Sequence, residues 1–268
     1  MSELLARRVV EKPWGRTDIS PHFAAPLGQR IGEIWFEHPH GKTLSLMAKY
    51  LFTSERLSIQ VHPDTEQAAL AGLASGKDEM WIVLAAEPDA HIGIGLDHAV
   101  SREQLRVAAL DGTIEDLLDW RPVKAGDVLY NPAGNIHALG PGLTLIEIQQ
   151  ALDLTYRLYD YGRPRPLHLD DGLKVASLEP IKHARIASLG PGLSQKLVDG
   201  PFFHVEWCCG MGALSSISPP SAEIQLLAIE GAVAVGNLSV EPGHCALVDD
   251  LHAIDIPTGI NALLFWPL

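Results

Sequence analysis

The sequence predicts an all-β fold: a barrel of short strands with a small helical insertion, followed by a second, smaller β domain. Three observations carry this. Gly (24) and Pro (19) are frequent in a chain of 268 residues, which implies many tight turns. Apolar residues reach 47% and charged residues 20%, enough to bury a large core. The apolar segments are short, often alternating, and bounded by turn residues.

In chain order, Ile31 to Glu37 and Leu44 to Phe52 read as strands. After His62 the pattern turns helical, with Asp64 as N-cap, Gln67 three residues on, and an Ala-rich run to Ala74 before Gly76. Strand character returns at Met80 to Ala85 and His91 to Leu96. Two further caps, Ser101 with Gln104 and Thr113 with Asp116, precede amphipathic runs at Leu105 to Leu110 and Ile114 to Leu118; these make a helical insertion ending near Trp120. Asp127 to Asn131, Leu143 to Gln149 and Thr155 to Tyr159 resume the barrel. Residues 176 to 194, with Pro180, Gly190, Pro191 and Gly192, form the best linker candidate. The expected division is a catalytic domain over 1–180 and a C-terminal domain over 195–268. The latter carries strands at Phe202 to Trp207, Ile224 to Ile229, Ala232 to Val235 and Asn261 to Trp266, and its turns at Glu241 to His244 and Ile256 to Gly259 weakly echo those around Gly126 and Pro132.

A formal charge of −13 argues against nucleic-acid and anionic-membrane partners, whose surfaces call for clustered Lys and Arg. No run of 18 apolar residues exists and the first residues lack the apolar core of a signal peptide, so a cytoplasmic protein is expected. Cys208, Cys209 and Cys245 form no CxxC pair and read as buried, reduced thiols.

The segment Gly126 to His137, GDVLYNPAGNIH, has the form G-x5-P-x-G-x2-H, the second signature of the cupin (jelly-roll) superfamily. The first signature supplies His-x-His and a carboxylate; here Gln60-Val61-His62 and Glu79 stand in those places. Residues i and i+2 of a strand share a face, so Gln60 and His62 both enter the barrel, while the helix after His62 only lengthens the loop to Glu79. Gln60, His62, Glu79 and His137 therefore form a mixed N/O ligand set for one divalent metal. It suits Zn2+ and would accept Fe(II), Mn(II), Ni(II) or Co(II). A second His-x-His, His38-Pro39-His40, reads as a surface turn, and the C-terminal domain repeats no ligand set.

Around these positions, SIQVHPD (Ser58 to Asp64), GKDEMW (Gly76 to Trp81), PAGNIHALG (Pro132 to Gly140) and EIQQALDLTYRLYDYGR (Glu147 to Arg163) resemble type I mannose-6-phosphate isomerase, in its short bacterial and archaeal form. The resemblance runs from about Pro13 to Leu178. It implies a zinc enzyme interconverting mannose 6-phosphate and fructose 6-phosphate, with the same four ligands, Arg157 as catalytic arginine, and Lys77 and Glu147 in the substrate site. Asp78, Ala151 and Leu152 depart from the family pattern, which bears on substrate range.

Glu147 has two readings, a base that takes the carbon-bound proton or a partner of a ligand histidine; a metal-bound water and Lys77 are the other base candidates. The cations nearest the motifs for a phosphate are Lys77, Arg157, Arg163 and Arg165, the last two alternatively a solvated loop. Two other classes compete with the isomerase: a dioxygenase-like metal enzyme on the same barrel, and a non-catalytic sugar-phosphate-binding module.

Overall fold

Period-2 alternation in the first two thirds of the chain builds two antiparallel sheets whose inner faces meet. The computed structural model describes residues 2–180, 185–190, 192–210 and 223–268. One sheet has seven strands in the order β13 (Arg185–Ser188), β9 (Asp127–Asn131), β6 (Glu79–Ala86), β11 (Leu143–Gln150), β4 (Leu46–Phe52), β3 (Ile31–Glu37) and β2 (Ala6–Arg16). The facing sheet has five, β12 (Tyr156–Tyr159), β5 (Ile59–Val61), β10 (His137–Leu139), β7 (His91–Leu96) and β8 (Leu118–Pro122). Leu51, Trp81, Val83, Leu129 and Leu145 of the first meet Ile92, Ile94 and Leu139 of the second in one buried cluster.

Alternate residues of the same strands point outward, and each outer face is covered. Ile59, Val61, Ala138 and Leu158 pack under α2 (Arg102–Asp111) and α3 (Leu169–Val175). Ile34, Phe36, Tyr50, Met80, Ile82 and Ile146 pack against Phe203, Val205, Leu227, Leu263 and Phe265. Those last residues come from a six-stranded sheet in the order β1 (Glu3–Leu4), β19 (Cys245–Val248), β16 (Ile224–Glu230), β21 (Asn261–Pro267), β15 (Phe203–Cys209) and β14 (Gln195–Asp199). Its other face packs on β18 (Leu238–Val240), β17 (Val233–Val235) and β20 (Ile254–Asp255). Each large apolar side chain buried at these faces contributes roughly 1.5–3 kcal/mol. The layers thus hold the inner cavity between two rigid walls.

Asp64 caps α1 (Thr65–Leu70) through a reciprocal box with Gln67, and Ser101 caps α2 the same way with Gln104. Helix α1 stops at Leu70, short of the expected Ala74, where the turn to Gly72 (φ +74°) leaves the helical region. Thr113 is the first residue of a 3-10 turn, Thr113–Leu117, and not its cap; it follows Gly112 at φ +89°. The run then becomes strand β8, so Trp120 lies in the sheet. The linker candidate 176–194 carries β13, paired with β9; residues 181–184 and 191 of it, and 211–222 of the C-terminal domain, lie outside the described residues. Strand β1 pairs with β19, which joins the two ends of the chain in one sheet. The cysteines are free thiols, Cys208 and Cys245 buried and Cys209 half-buried. No described helix is long and apolar enough to cross a membrane.

Candidate metal centre

Strand register brings the sequence-derived ligands together. On the five-stranded sheet His137 pairs with Gln60 and Gln60 with Arg157, so three strands present these side chains in one row. On the facing wall Glu79 pairs with Asn131 on one side and Gln149 on the other. His62, Glu79 and His137 are buried, and one ligand atom from each lies within 4.8 Å of the others. Among the described residues no other group of His, Cys, Asp and Glu converges in this way.

The hydrogen bonds behind the ligands point their donor atoms at the centre. His62 Nδ1 donates to the Leu154 carbonyl at 2.8 Å and His137 Nδ1 to the Asn135 carbonyl at 3.0 Å. A carbonyl can only accept, so each Nε2 keeps its lone pair for the site. Those nitrogens stand 3.6 Å and 3.1 Å from Glu79 Oε1. Gln60 Nε2 lies 3.2 Å from His137 Nε2, while Ser58 Oγ donates to Gln60 Oε1 at 2.9 Å. Half a turn of the amide presents Oε1 to the centre and leaves Nε2 donating to Ser58. Two neutral imidazoles, a carboxylate and an amide oxygen fit a divalent transition metal.

Burial, and then the neighbouring Lys77, push the His62 pKa down to about 3, so its ring is neutral at physiological pH. Burial alone raises the Glu79 carboxyl, but Lys77, His62 and His137 outweigh it and hold the group well below the usual carboxylate range. Lys77 Nζ donates to Glu79 Oε2 at 2.9 Å and sits 3.0 Å from His62 Nε2. Asp78 faces the other way: its carboxylate accepts from Tyr130 Oη and from the Ala133 amide, tying the Glu79 strand to the turn that leads into His137.

Gln60, Lys77, His137, Glu147, Arg157 and Arg165 line one cavity, in which cationic and acidic side chains converge. Glu147 accepts from Trp81 Nε1 at 3.0 Å and pairs with Lys49 Nζ at 3.2 Å. No hydrogen bond joins it to a ligand histidine, and it faces the cavity instead. Arg165 lines the cavity while held by Asp160 through two bonds of 2.6 Å. Arg163 turns to Asp160 and the Arg56 carbonyl and does not line it. In the other His-x-His, His38 is buried and not at the surface, whereas His40 is exposed; their Nε2 atoms stand 3.6 Å and 3.4 Å from the Glu3 carboxylate.

Sequence reasoning passed over Lys12, Glu33, Lys49 and Asp153, which also line the cavity, and Asn131 behind the ligands. Lys49 had a readable signal: a lone charge in the apolar strand LMAKYLF is costly to bury unless it is paired. Glu33 beside Trp35 in IGEIWFE gives the same signal.

No family model matches the chain. A mannose-6-phosphate isomerase of Streptococcus mutans is 35% identical over 224 residues, covering 78% of this chain and 71% of the relative. One of Bacillus subtilis is 32% identical over 230 residues, covering 78% and 72%. Among solved structures, the mannose 6-phosphate isomerase of Bacillus subtilis superposes with a TM-score of 0.82 at 25% identity, over 98% of each chain. A zinc-bound mannose 6-phosphate isomerase, at 14% identity and a TM-score of 0.71 over 100% of each chain, shares the fold.

Proposed function

The chain belongs to the mannose-6-phosphate isomerase family, and on that premise we propose that it interconverts mannose 6-phosphate and fructose 6-phosphate, with one zinc ion per chain held by Gln60, His62, Glu79 and His137. The observation that carries this reading is the convergence of the His62, Glu79 and His137 donor atoms at the wall of a cavity that His137, Glu147 and Arg157 line. A bound divalent ion would supply Lewis-acid stabilisation of the sugar oxygens on which charge develops.

The remaining work falls to the chain's own groups. Isomerisation moves a proton between two adjacent sugar carbons through an enediol(ate). Glu147 is the base: its carboxylate takes the proton from carbon, the C–H electron pair becomes the C=C bond, and the carbonyl oxygen takes up the charge. Arg157, always protonated, stabilises that charge. Lys77, within reach of the same space, hands protons between the two oxygens. Arg165 is the cation that receives the phosphate dianion, and a chain of charge −13 needs it placed locally.

Catalysis is assigned to residues 1–180. The described residues of 195–268 buttress the seven-stranded sheet, and none of them lines the cavity. The partner is a small sugar phosphate, with no nucleic acid or membrane involved, in a cytoplasmic setting. The test is a coupled assay for fructose 6-phosphate formed from mannose 6-phosphate: turnover should vanish on chelation and return with zinc, and inert reconstituted protein refutes the reading.

A further inference from the structure

Strand register lays one row of side chains across the wall opposite the histidines: Trp81 on β6 pairs with Glu147 on β11, Glu147 with Lys49 on β4, and Lys49 with Trp35 on β3. Lys49 is buried, so its ammonium has lost its hydration. It is compensated by Glu147 Oε2 at 3.2 Å, by Gln149 Oε1 at 2.5 Å, and by the Trp35 ring, whose centre lies 4.5 Å away. Glu33 on β3 and Asp153 after β11 add negative field from two more sides, while Lys12 on β2 answers Glu33 at 3.2 Å. Trp81 Nε1 holds the other oxygen of Glu147 at 3.0 Å. Two donors from the two flanking strands therefore fix both carboxylate oxygens.

We propose that Lys49 is a positioning residue for the isomerisation: its ammonium clamps Glu147 Oε2 and, with Trp81 on Oε1, sets the angle at which the carboxylate meets the sugar carbon. The assignment rests on Glu147 being the base. A terminal carboxylate torsion is broad and two-fold, so a single donor leaves the plane free to swing. Burial opposes the charge on Lys49, but Glu147, Glu33 and Asp153 more than offset it and raise its pKa, so the clamp is charged whenever the enzyme works. Lys49 itself exchanges no proton with substrate.

The experiment compares wild type, Lys49→Met, Lys49→Arg, Glu147→Gln and the double variant Lys49→Met/Glu147→Gln on mannose 6-phosphate and on its C2-deuterated form. Misplacement of a reacting group lowers rate more than binding, so Lys49→Met should drop kcat about 10- to 100-fold with KM little changed and a larger deuterium effect. Lys49→Arg should recover part of the loss. On Glu147→Gln the lysine change should lower kcat no further, because it acts through that carboxylate. Lys49→Gln, with the same expectation, replaces Lys49→Met should melting curves show the latter unfolded. Wild-type kcat and isotope effect in either neutral variant, or losses that multiply in the double variant, overturn the assignment. Wild-type protein without turnover refutes the isomerase reading itself, and Lys49 then has no base to position.

Discussion

Replacing Asn131 with Ala tests whether the ligands are held by the shell behind them. Asn131 is buried, and its Nδ2 donates to Glu79 Oε1 at 2.8 Å and lies 3.1 Å from His137 Nδ1. Its own Oδ1 accepts from Asn135 Nδ2 at 2.6 Å, so it also braces the residue whose carbonyl fixes the His137 tautomer. Truncation frees Glu79 to rotate and leaves the Asn135 amide unpaired. Loss of such a supporting group lowers metal affinity by ~10–100-fold, or about 1.4–2.7 kcal/mol. The stranded donor costs a further ~1–3 kcal/mol of folding stability. Competition for zinc against a chromophoric chelator measures the first quantity and urea unfolding of the chelated protein the second. Zinc affinity within about twofold of wild type in folded Asn131→Ala would refute the reasoning and leave Lys77 as the sole orienter of Glu79.

Arg157→Ala should bind one metal per chain as before yet lose roughly 10²–10³ in turnover, as removal of a charge-stabilising donor does; retained turnover moves that role elsewhere. The pH dependence has a definite sign. Because the folded His62 pKa is depressed to about 3, the unfolded chain binds more protons as pH falls from its ordinary value of about 6.5, and the chelated protein loses stability through that window. The loss approaches 1.4 kcal/mol per pH unit between about pH 6 and 5, where Glu79 is still mostly ionised in the unfolded chain as well, and His62→Gln should flatten it in denaturant titrations. Equal slopes in the two proteins would contradict the depressed pKa. Gly76→Ala sets a Cβ 2.5 Å from the Thr65 nitrogen and 2.7 Å from the Asp64 carbonyl carbon. It should cost ~1–3 kcal/mol by thermal unfolding and weaken zinc binding, since the start of α1 and the strand carrying Glu79 are forced apart; an unchanged melting temperature would show that the contact relaxes freely.

The ligand row was legible because strand periodicity is local: Gln60 and His62 share a face whatever the rest of the chain does. Short apolar or alternating strands, such as Ile31–Glu37 and His91–Leu96, were legible because their signal is likewise local. Strand β2 was not. Its ARRVVEKPWGR is charge-rich because it forms the sheet edge with most of its residues exposed or half-buried. Helix α3 carried no signal either: His168 at its N-cap makes no side-chain cap bond, and Gly172 sits mid-helix because a Cβ there would meet Leu158 Cδ2 at 2.6 Å. Lys49, Asn131 and Asp153 join the site only through pairing between distant strands or by lying across the cavity, which local pattern cannot convey.

On the function proposed, the four-residue centre holds the one metal on which turnover depends. Titrating zinc into chelated protein while following conversion of mannose 6-phosphate to fructose 6-phosphate tests it most directly. Activity should rise linearly and break at one equivalent per chain, with His137→Ala showing neither the break nor the turnover. Full turnover in metal-free protein, or a stoichiometric break that persists without His137, would contradict it.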